Sequence, residues 1–478
     1  MATASFIMEN GRPYNLQVEP QALSGSIAAI PSKSYAQRIF IAASLCDKPT
    51  KIALEPQFMS GDIYATLLAL ESAGSAFDVS FDDNSVEIFP NSTLSADEAS
   101  PASAELDSPS PAIPTLDASS HEAQNIVNCE ESGTAARLLL PVLTALHDQG
   151  TLTGTGSLLK RPFETLCKSL EQGEAVQFDQ YKLPLSWKGQ LQSGHYQLPG
   201  DESSQYISGL LFALPLLEGE STVELTSPLQ SVGYIDMTLD VLAQFGIIID
   251  HDGANRYHIK GGQSYQSPGT IEVEGDWSNS AFWLAANVEV AGLNPDSLQR
   301  DRLFLELKDK QHIDATDVPD LVPILSVYAA LKKGTTTITG IERLRIKESD
   351  RIKTTFALLD ALGCKVELGP IDETWTPVDE LDPLDEEAMY KEWENHKLAL
   401  IVHGTGSIPG GAKVNGANDH RIVMAAAIAG SFADAPVTIL GAQAVAKTYA
   451  HFFEDFCTLG GRVKRRPAGL LGSLLGYH

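Results

Sequence analysis

Apolar and polar positions along this chain repeat as a unit with little identity from one copy to the next. Each unit holds a short polar motif, an apolar helix, a Thr-rich strand, an amphipathic helix closed by glycine, and another strand. The first part appears six times, with predicted helices starting near Ser34, Thr134, Ser204, Ser280, Pro319 and His420. Segments such as Ile39 to Leu45 and Ile422 to Ala429 are apolar on nearly all sides, which predicts helices wrapped by other elements. Five strands are expected after them, at Ile52 to Leu54, Thr151 to Thr153, Thr222 to Leu225, Thr335 to Ile338 and Val437 to Leu440. The second helix is expected to end at Gly74, Gly173, Gly246, Gly363 or Gly460, where glycine accepts a left-handed cap, with strands such as Ile247 to Ile249 and Cys364 to Leu368 beyond. The fourth unit, Asp276 to Gly292, has lost or altered its second half. Pro141, Pro215 and Pro323 fall inside helical segments, so those helices should kink or start later. Ordinary α/β segments recurring by coincidence are the competing explanation of the pattern.

Two stretches interrupt the units. Asn91 to Gln124 is rich in Ser, Ala, Pro and Asp and lacks Lys and Arg, which predicts a surface insertion. Pro370 to Lys397, acidic around Asp382 to Glu387 and containing Trp375 and Trp393, predicts a solvated excursion. A length of 478 residues fits two large domains. With 34 Lys and Arg against 62 Asp and Glu, a net charge of -28 and a pI near 4.7 argue against nucleic acid or an anionic membrane as partner. The start, Met1 to Phe6, lacks a secretory pattern, and the longest apolar run, Ile207 to Leu217, is broken by Gly209 and Pro215. Five scattered cysteines without a CxxC pair predict a reduced, cytoplasmic protein with no structural metal.

Against that acidic background, the scarce cations gather in polar motifs just before apolar segments. They are Ser32-Lys33-Ser34 with Arg38, Ser132-Gly133-Thr134 with Arg137, Lys160-Arg161-Pro162, Arg345 to Arg351, Asp419-His420-Arg421 and Lys447-Thr448. Free N–H groups and the positive dipole end at a helix start favour anions, and Ser, Thr and Gly admit a phosphate closely. Any one of these serines is ordinarily only a cap. Recurrence at equivalent points, together with Ser203-Ser204-Gln205, points to an anion pocket. Arg137, one turn inside an apolar helix, is expected in the scaffold. Asp320 and Glu348 are ordinarily caps or ion-pair partners, but beside a bound anion they become general acid/base candidates. His420 is by default a core or cap histidine, raised to a site candidate by its neighbours. The Gly-rich stretch Pro409-Gly410-Gly411 reads as a loop rather than a nucleotide cradle, and no Walker sequence, dinucleotide fingerprint or cysteine in a basic motif supports other chemistry.

Taken in order from Ser32 to Thr448, these motifs resemble the 5-enolpyruvylshikimate-3-phosphate synthase family. The most specific are Ser203-Ser204-Gln205, Tyr234 to Leu239, Gly261 to Tyr265, Val273 to Asp276, Lys347 to Arg351 and Asn418 to Arg421. The resemblance implies an α/β fold, a two-domain inverse α/β barrel of six βαβαββ repeats, three per domain, with buried parallel helices. Residues 1–30 with 273–478 would form one domain and 31–272, carrying the insertion at 91–124, the other. It further implies transfer of the enolpyruvyl group of phosphoenolpyruvate to the 5-hydroxyl of shikimate 3-phosphate, without a cofactor, by a monomer. By the same resemblance Lys33, Ser34, Arg38, Ser203, Ser204, Gln205, Ser231, Tyr234, Asp320 and Lys347 would hold shikimate 3-phosphate. Lys33, Gly133, Arg161, Gln205, Arg351, Arg421 and Lys447 would surround phosphoenolpyruvate, the site that the herbicide glyphosate occupies in the family. Asp320 would accept the hydroxyl proton, and Glu348, helped by Lys33, would deliver one to the methylene carbon. The chain departs from the family at Glu131, where asparagine is common and a carboxylate now stands near the phosphoenolpyruvate site, and at Arg343-Leu344, which replace Asn-Trp. The alternatives are a related transferase acting on UDP-N-acetylglucosamine and a noncatalytic anion-binding module.

Overall fold

The computed structural model describes residues 14–90, 126–253, 255–370 and 397–466. The chain start, the Asn91–Gln124 stretch and the acidic excursion between Pro370 and Lys397 lie outside the described residues.

Six apolar segments form the helices Lys33–Ser44, Gly133–Leu146, Ser204–Ala213, Trp277–Ala285, Val322–Ala330 and His420–Phe432. Ser32 and Ser132 cap the first two, their hydroxyls accepting from the N–H groups of Tyr35 and Ala135. The fourth helix starts before Ser280 because Asp276 is its cap and accepts from the Asn279 N–H at 2.7 Å. Each of the three prolines resolves differently. Pro323 sits in the first turn of its helix, where a missing N–H is harmless, and Pro215 lies in the 3-10 turn Leu214–Leu216 that ends the third helix. Pro141 stays inside Gly133–Leu146 and cannot donate to the Arg137 carbonyl. That carbonyl lies 2.8 Å from where a Cβ on Gly209 would stand, so the second and third helices meet backbone to backbone.

Five four-stranded sheets share one plan, a parallel pair extended by antiparallel strands. Residues 126–128, 149–153, 185–188 and 177–178 form one, in that order, and 195–198, 220–225, 256–260 and 249–251 the next. The sheet 270–272, 50–53, 85–89 and 76–80 joins distant parts of the chain, as does 413–415, 437–440, 15–19 and 462–466. The fifth runs 312–314, 333–339, 398–405 and 365–370. The altered fourth unit is reduced to the parallel pair Glu289–Ala291 with Ser26–Ala28. Every strand order is open, so separate sheets, rather than one closed barrel, enclose the helices among the described residues.

Two local expectations are corrected. Pro409-Gly410-Gly411, expected as loop, is partly strand, since Ile408–Gly410 pairs with Ala433–Ala435. The left-handed cap expected at Gly173 falls on Glu174, because a 3-10 turn, Glu171–Gly173, extends that helix.

Buried apolar side chains fall in two clusters. One runs from Tyr35 to Val273, and the other combines Leu16 to Ile30 with Ala281 to Leu459. The chain passes between them twice, and the two passages are bonded to each other. Ser32 N donates to Glu274 O and Asp276 N to Ile30 O, both at 2.8 Å, flanking a Pro31–Gly275 bridge.

Candidate active site

The starts of the buried helices and the turns after the strands face a cleft between the two clusters, with a volume of about 880 Å³. Eight Lys and Arg side chains line it against four Asp and Glu, a local positive excess in a chain of net charge -28. All the site residues expected from the sequence border this cleft except Lys447.

The hub is Arg351, a buried arginine in the first turn of helix Arg351–Ala361, which Asp350 caps. Its Nε donates to Asp419 at 2.9 Å, its Nη1 to Asp320 at 2.7 Å and its Nη2 to Glu348. Asp419 in turn caps His420–Phe432 by accepting from the Arg421 N–H at 3.0 Å, so cap, hub and motif form one structure. Asp320 also meets Lys347 at 3.3 Å, Arg421 at 3.4 Å and the Tyr234 hydroxyl, which donates at 3.0 Å. Burial alone would raise both carboxyls. The charges of Arg421, Lys347 and Arg351 instead hold Asp320 well below the usual carboxylate range, and those of Arg351 and Arg161 do the same for Glu348. Both are therefore ionised when no anion is bound.

The other half contributes through its helix starts. Lys33 begins the first buried helix and pairs with Asp62 at 2.9 Å, while its N–H donates to Asp276. Arg38 is almost fully buried, donating to Thr238, the Ser34 carbonyl and the Tyr234 carbonyl, so only an edge faces the cleft. Gly133 is needed for Arg161: a Cβ there would stand 2.3 Å from the Arg161 Nη1. Arg161 reaches across to Glu348 at 3.3 Å. Gln205 donates to Thr134 and accepts from Arg137. Ser203 and Ser204 open the third buried helix, and Ser231, in the left-handed region at φ 56, opens helix Val232–Gln244.

Arg137, expected in the scaffold, packs against the rings of Phe163 and Tyr206 and also borders the cleft, behind Gln205. Lys447 stands apart from the lining, its ammonium 2.8 Å from Glu131. Among the cleft residues that motif comparison passed over, Arg343 donates to the Ser231 hydroxyl at 2.6 Å and to the Thr316 carbonyl at 2.8 Å. In the sequence Arg343 stands out only as a departure from the family pattern, and its charge is the one signal of a role there. Asp62 gave no signal, being one acidic residue of many. His420 borders the cleft with neither ring nitrogen hydrogen-bonded among the described residues. Burial and the Arg421 charge hold it well below the usual histidine range, hence neutral. Asp301 lines an adjoining cavity of about 450 Å³, where burial and the nearby Asp320 charge raise it from an ordinary 3.8 to about 7.

The arrangement can bind polyanions and move protons at two carboxylates. A family model described as EPSP synthase (3-phosphoshikimate 1-carboxyvinyltransferase) matches residues 110–311 and 294–456. A Clostridium acetobutylicum protein named 3-phosphoshikimate 1-carboxyvinyltransferase is 36% identical over 480 residues, covering 95% of this chain and 99% of its own. A protein of that name from Clostridium kluyveri is 33% identical over 481 residues, with the same coverage. Among solved structures, an EPSP synthase from Acinetobacter baumannii superposes with a TM-score of 0.68 at 24% identity, covering 95% of this chain and 100% of its own, a likeness of fold.

Proposed function

The chain belongs to the EPSP synthase family, and on that premise we propose that its central cleft is where the family reaction takes place. It is a 3-phosphoshikimate 1-carboxyvinyltransferase, moving the enolpyruvyl group of phosphoenolpyruvate onto shikimate 3-phosphate and releasing phosphate. What carries the assignment to the cleft is the convergence of Lys33, Asp320 and the Glu348–Arg351 pair, from three separate segments, on one cleft.

Shikimate 3-phosphate would lie against Lys33, Ser34, Arg38, Ser203, Ser204, Gln205, Ser231, Tyr234, Asp320 and Lys347. Phosphoenolpyruvate would meet Lys33, Gly133, Arg161, Gln205, Arg351, Arg421 and, once it swings inward, Lys447. When substrate anions take over these cations, Asp320 and Glu348 lose their counter-charges and become more basic. Asp320 then accepts the proton of the attacking 5-hydroxyl, while Glu348, which takes up a proton from solvent as substrate strips away its counter-charges, passes that proton, with Lys33 beside it, to the methylene carbon. The oxygen bonds to C2 of phosphoenolpyruvate, giving a tetrahedral adduct. Glu348 then takes back a methyl proton as phosphate leaves with the proton held by Asp320, and the double bond is restored. Fixed charges in a partly dry cleft stabilise each charged stage.

The two apolar clusters support domains at 31–272 and at 1–30 with 273–478. Among the described residues no helix is long and apolar enough to cross a membrane. Five cysteines, none in a disulfide, support a reducing, cytoplasmic setting, and we take the enzyme to act as a monomer.

Lys33→Met and Asp320→Asn test the assignment. Each should lower kcat by roughly 100-fold or more while the melting temperature moves only slightly. Near-normal turnover in either folded variant would contradict the role given to that residue.

A further inference from the structure

Five of the cleft cations, Lys33, Arg161, Lys347, Arg351 and Arg421, are paired with carboxylates, and for most of those carboxylates the proposed chemistry supplies a use. Asp320 and Glu348 handle protons, and Asp419 fixes Arg351. Glu131 has no such use, yet it occupies a built seat. Its Oε1 accepts from the Ser157 N–H at 3.0 Å, and its Oε2 lies 2.8 Å from the Lys447 Nζ. The seat exists because residue 156 is glycine: at φ 55 it takes a left-handed turn, and a Cβ there would stand 1.8 Å from the Glu131 Oε1. Lys447 also donates to the Asn418 carbonyl at 3.1 Å, beside the Asp419-His420-Arg421 motif, so its stem stays near the cleft while its charge is held by Glu131. The pair also joins the two halves, since Glu131 precedes the helix Gly133–Leu146 and Lys447 belongs to the second cluster's 3-10 turn Ala442–Lys447.

Resting on the cleft assignment above, we infer that Glu131 is an internal competitor of phosphoenolpyruvate, occupying Lys447 in its absence and being displaced from it by the substrate's phosphate. The carboxylate sets how tightly phosphoenolpyruvate is held, and it leaves shikimate 3-phosphate recognition alone, because its partners are Lys447, the Ser157 N–H and the more distant Arg161 charge, and both cations belong to the phosphoenolpyruvate side. Burial would raise Glu131, but Lys447 and the Ser157 N–H hold it below the usual carboxylate range, so it keeps its negative charge at neutral pH.

The test is steady-state kinetics with each substrate varied in turn. Glu131→Gln should lower KM for phosphoenolpyruvate roughly three- to tenfold, the size expected when one charge-assisted contact no longer has to be broken, and change KM for shikimate 3-phosphate less than twofold. Gly156→Asn, which tolerates the left-handed backbone but crowds the carboxylate from its seat, should shift the same constant in the same direction. Lys447→Met should raise KM for phosphoenolpyruvate, and in that background Glu131→Gln should have no further effect. An unchanged or raised KM for phosphoenolpyruvate in Glu131→Gln, or equal movement of both constants, would overturn the inference. So would a Glu131→Gln effect that persists without Lys447. Failure of the cleft assignment is distinct, because it would appear as normal turnover in Lys33→Met and Asp320→Asn.

Discussion

Gly133 gives the Arg161 guanidinium its place, and Asp301 is a buried carboxyl beside the charged Asp320. Gly133→Ala would place a methyl 2.3 Å from the Arg161 Nη1 and push the guanidinium off its contact with Glu348. We expect KM for phosphoenolpyruvate to rise about tenfold or more, with KM for shikimate 3-phosphate little changed, in initial-rate measurements. Asp301 has a folded pKa raised to about 7 by burial and the Asp320 charge. Its contribution to stability is fully present below the unfolded carboxylate pKa of about 4 and is lost as the pH rises through about 7. Asp301→Asn should therefore flatten the fall in melting temperature between pH 5 and 8, and an unchanged slope in a pH series of thermal scans would contradict this. Much of the site was visible in the sequence because Lys33, Lys347, Arg351 and Arg421 sit in short motifs with a fixed relation to a helix start. Asp62, Asp301 and the Arg343 contacts were not, since each depends on a neighbour far away in the chain that only the fold supplies.

Among elements, the buried helices are legible from their all-round apolarity, and the starts at Lys33, Gly133 and His420 from the capping Ser32, Ser132 and Asp419. The fourth start was misplaced because Asp276 caps it ahead of the small-residue motif, so two adequate caps competed and the carboxylate won. The cap at Glu174 and the strand Ile408–Gly410 were missed for a related reason, a turn or a pairing partner overriding local preference. Sheet order was not legible at all. That residues 15–19 complete a sheet with 413–415, 437–440 and 462–466 follows from packing, and no local pattern encodes it. The buried helices Gly133–Leu146 and Ser204–Ala213 meet at Gly209, where any side chain would meet the Arg137 carbonyl and the Pro141 ring. Gly209→Val should destabilise the protein by about 1 to 3 kcal/mol through overpacking, read as a lower denaturant midpoint with an unchanged m-value.

For the molecule as a whole, the two halves meet through polar contacts that involve the cleft residues themselves. Arg161 with Glu348, Tyr234 with Asp320, Arg343 with Ser231 and Lys447 with Glu131 all cross between the clusters. Substrate anions would insert into that network, coupling binding to the way the halves are held. Saturating shikimate 3-phosphate at about 100 times its Kd should stabilise the fold by about 2.7 kcal/mol, visible as a higher melting temperature, and Lys347→Ala should weaken that shift. Enolpyruvyl transfer to shikimate 3-phosphate in this cleft is read out by phosphate release from phosphoenolpyruvate by the purified protein. Shikimate 3-phosphate and UDP-N-acetylglucosamine are offered separately, beside the Asp320→Asn variant. Release is expected with shikimate 3-phosphate alone, strongly reduced in the variant. Release with UDP-N-acetylglucosamine, release with neither, or full activity in the variant would overturn the assignment.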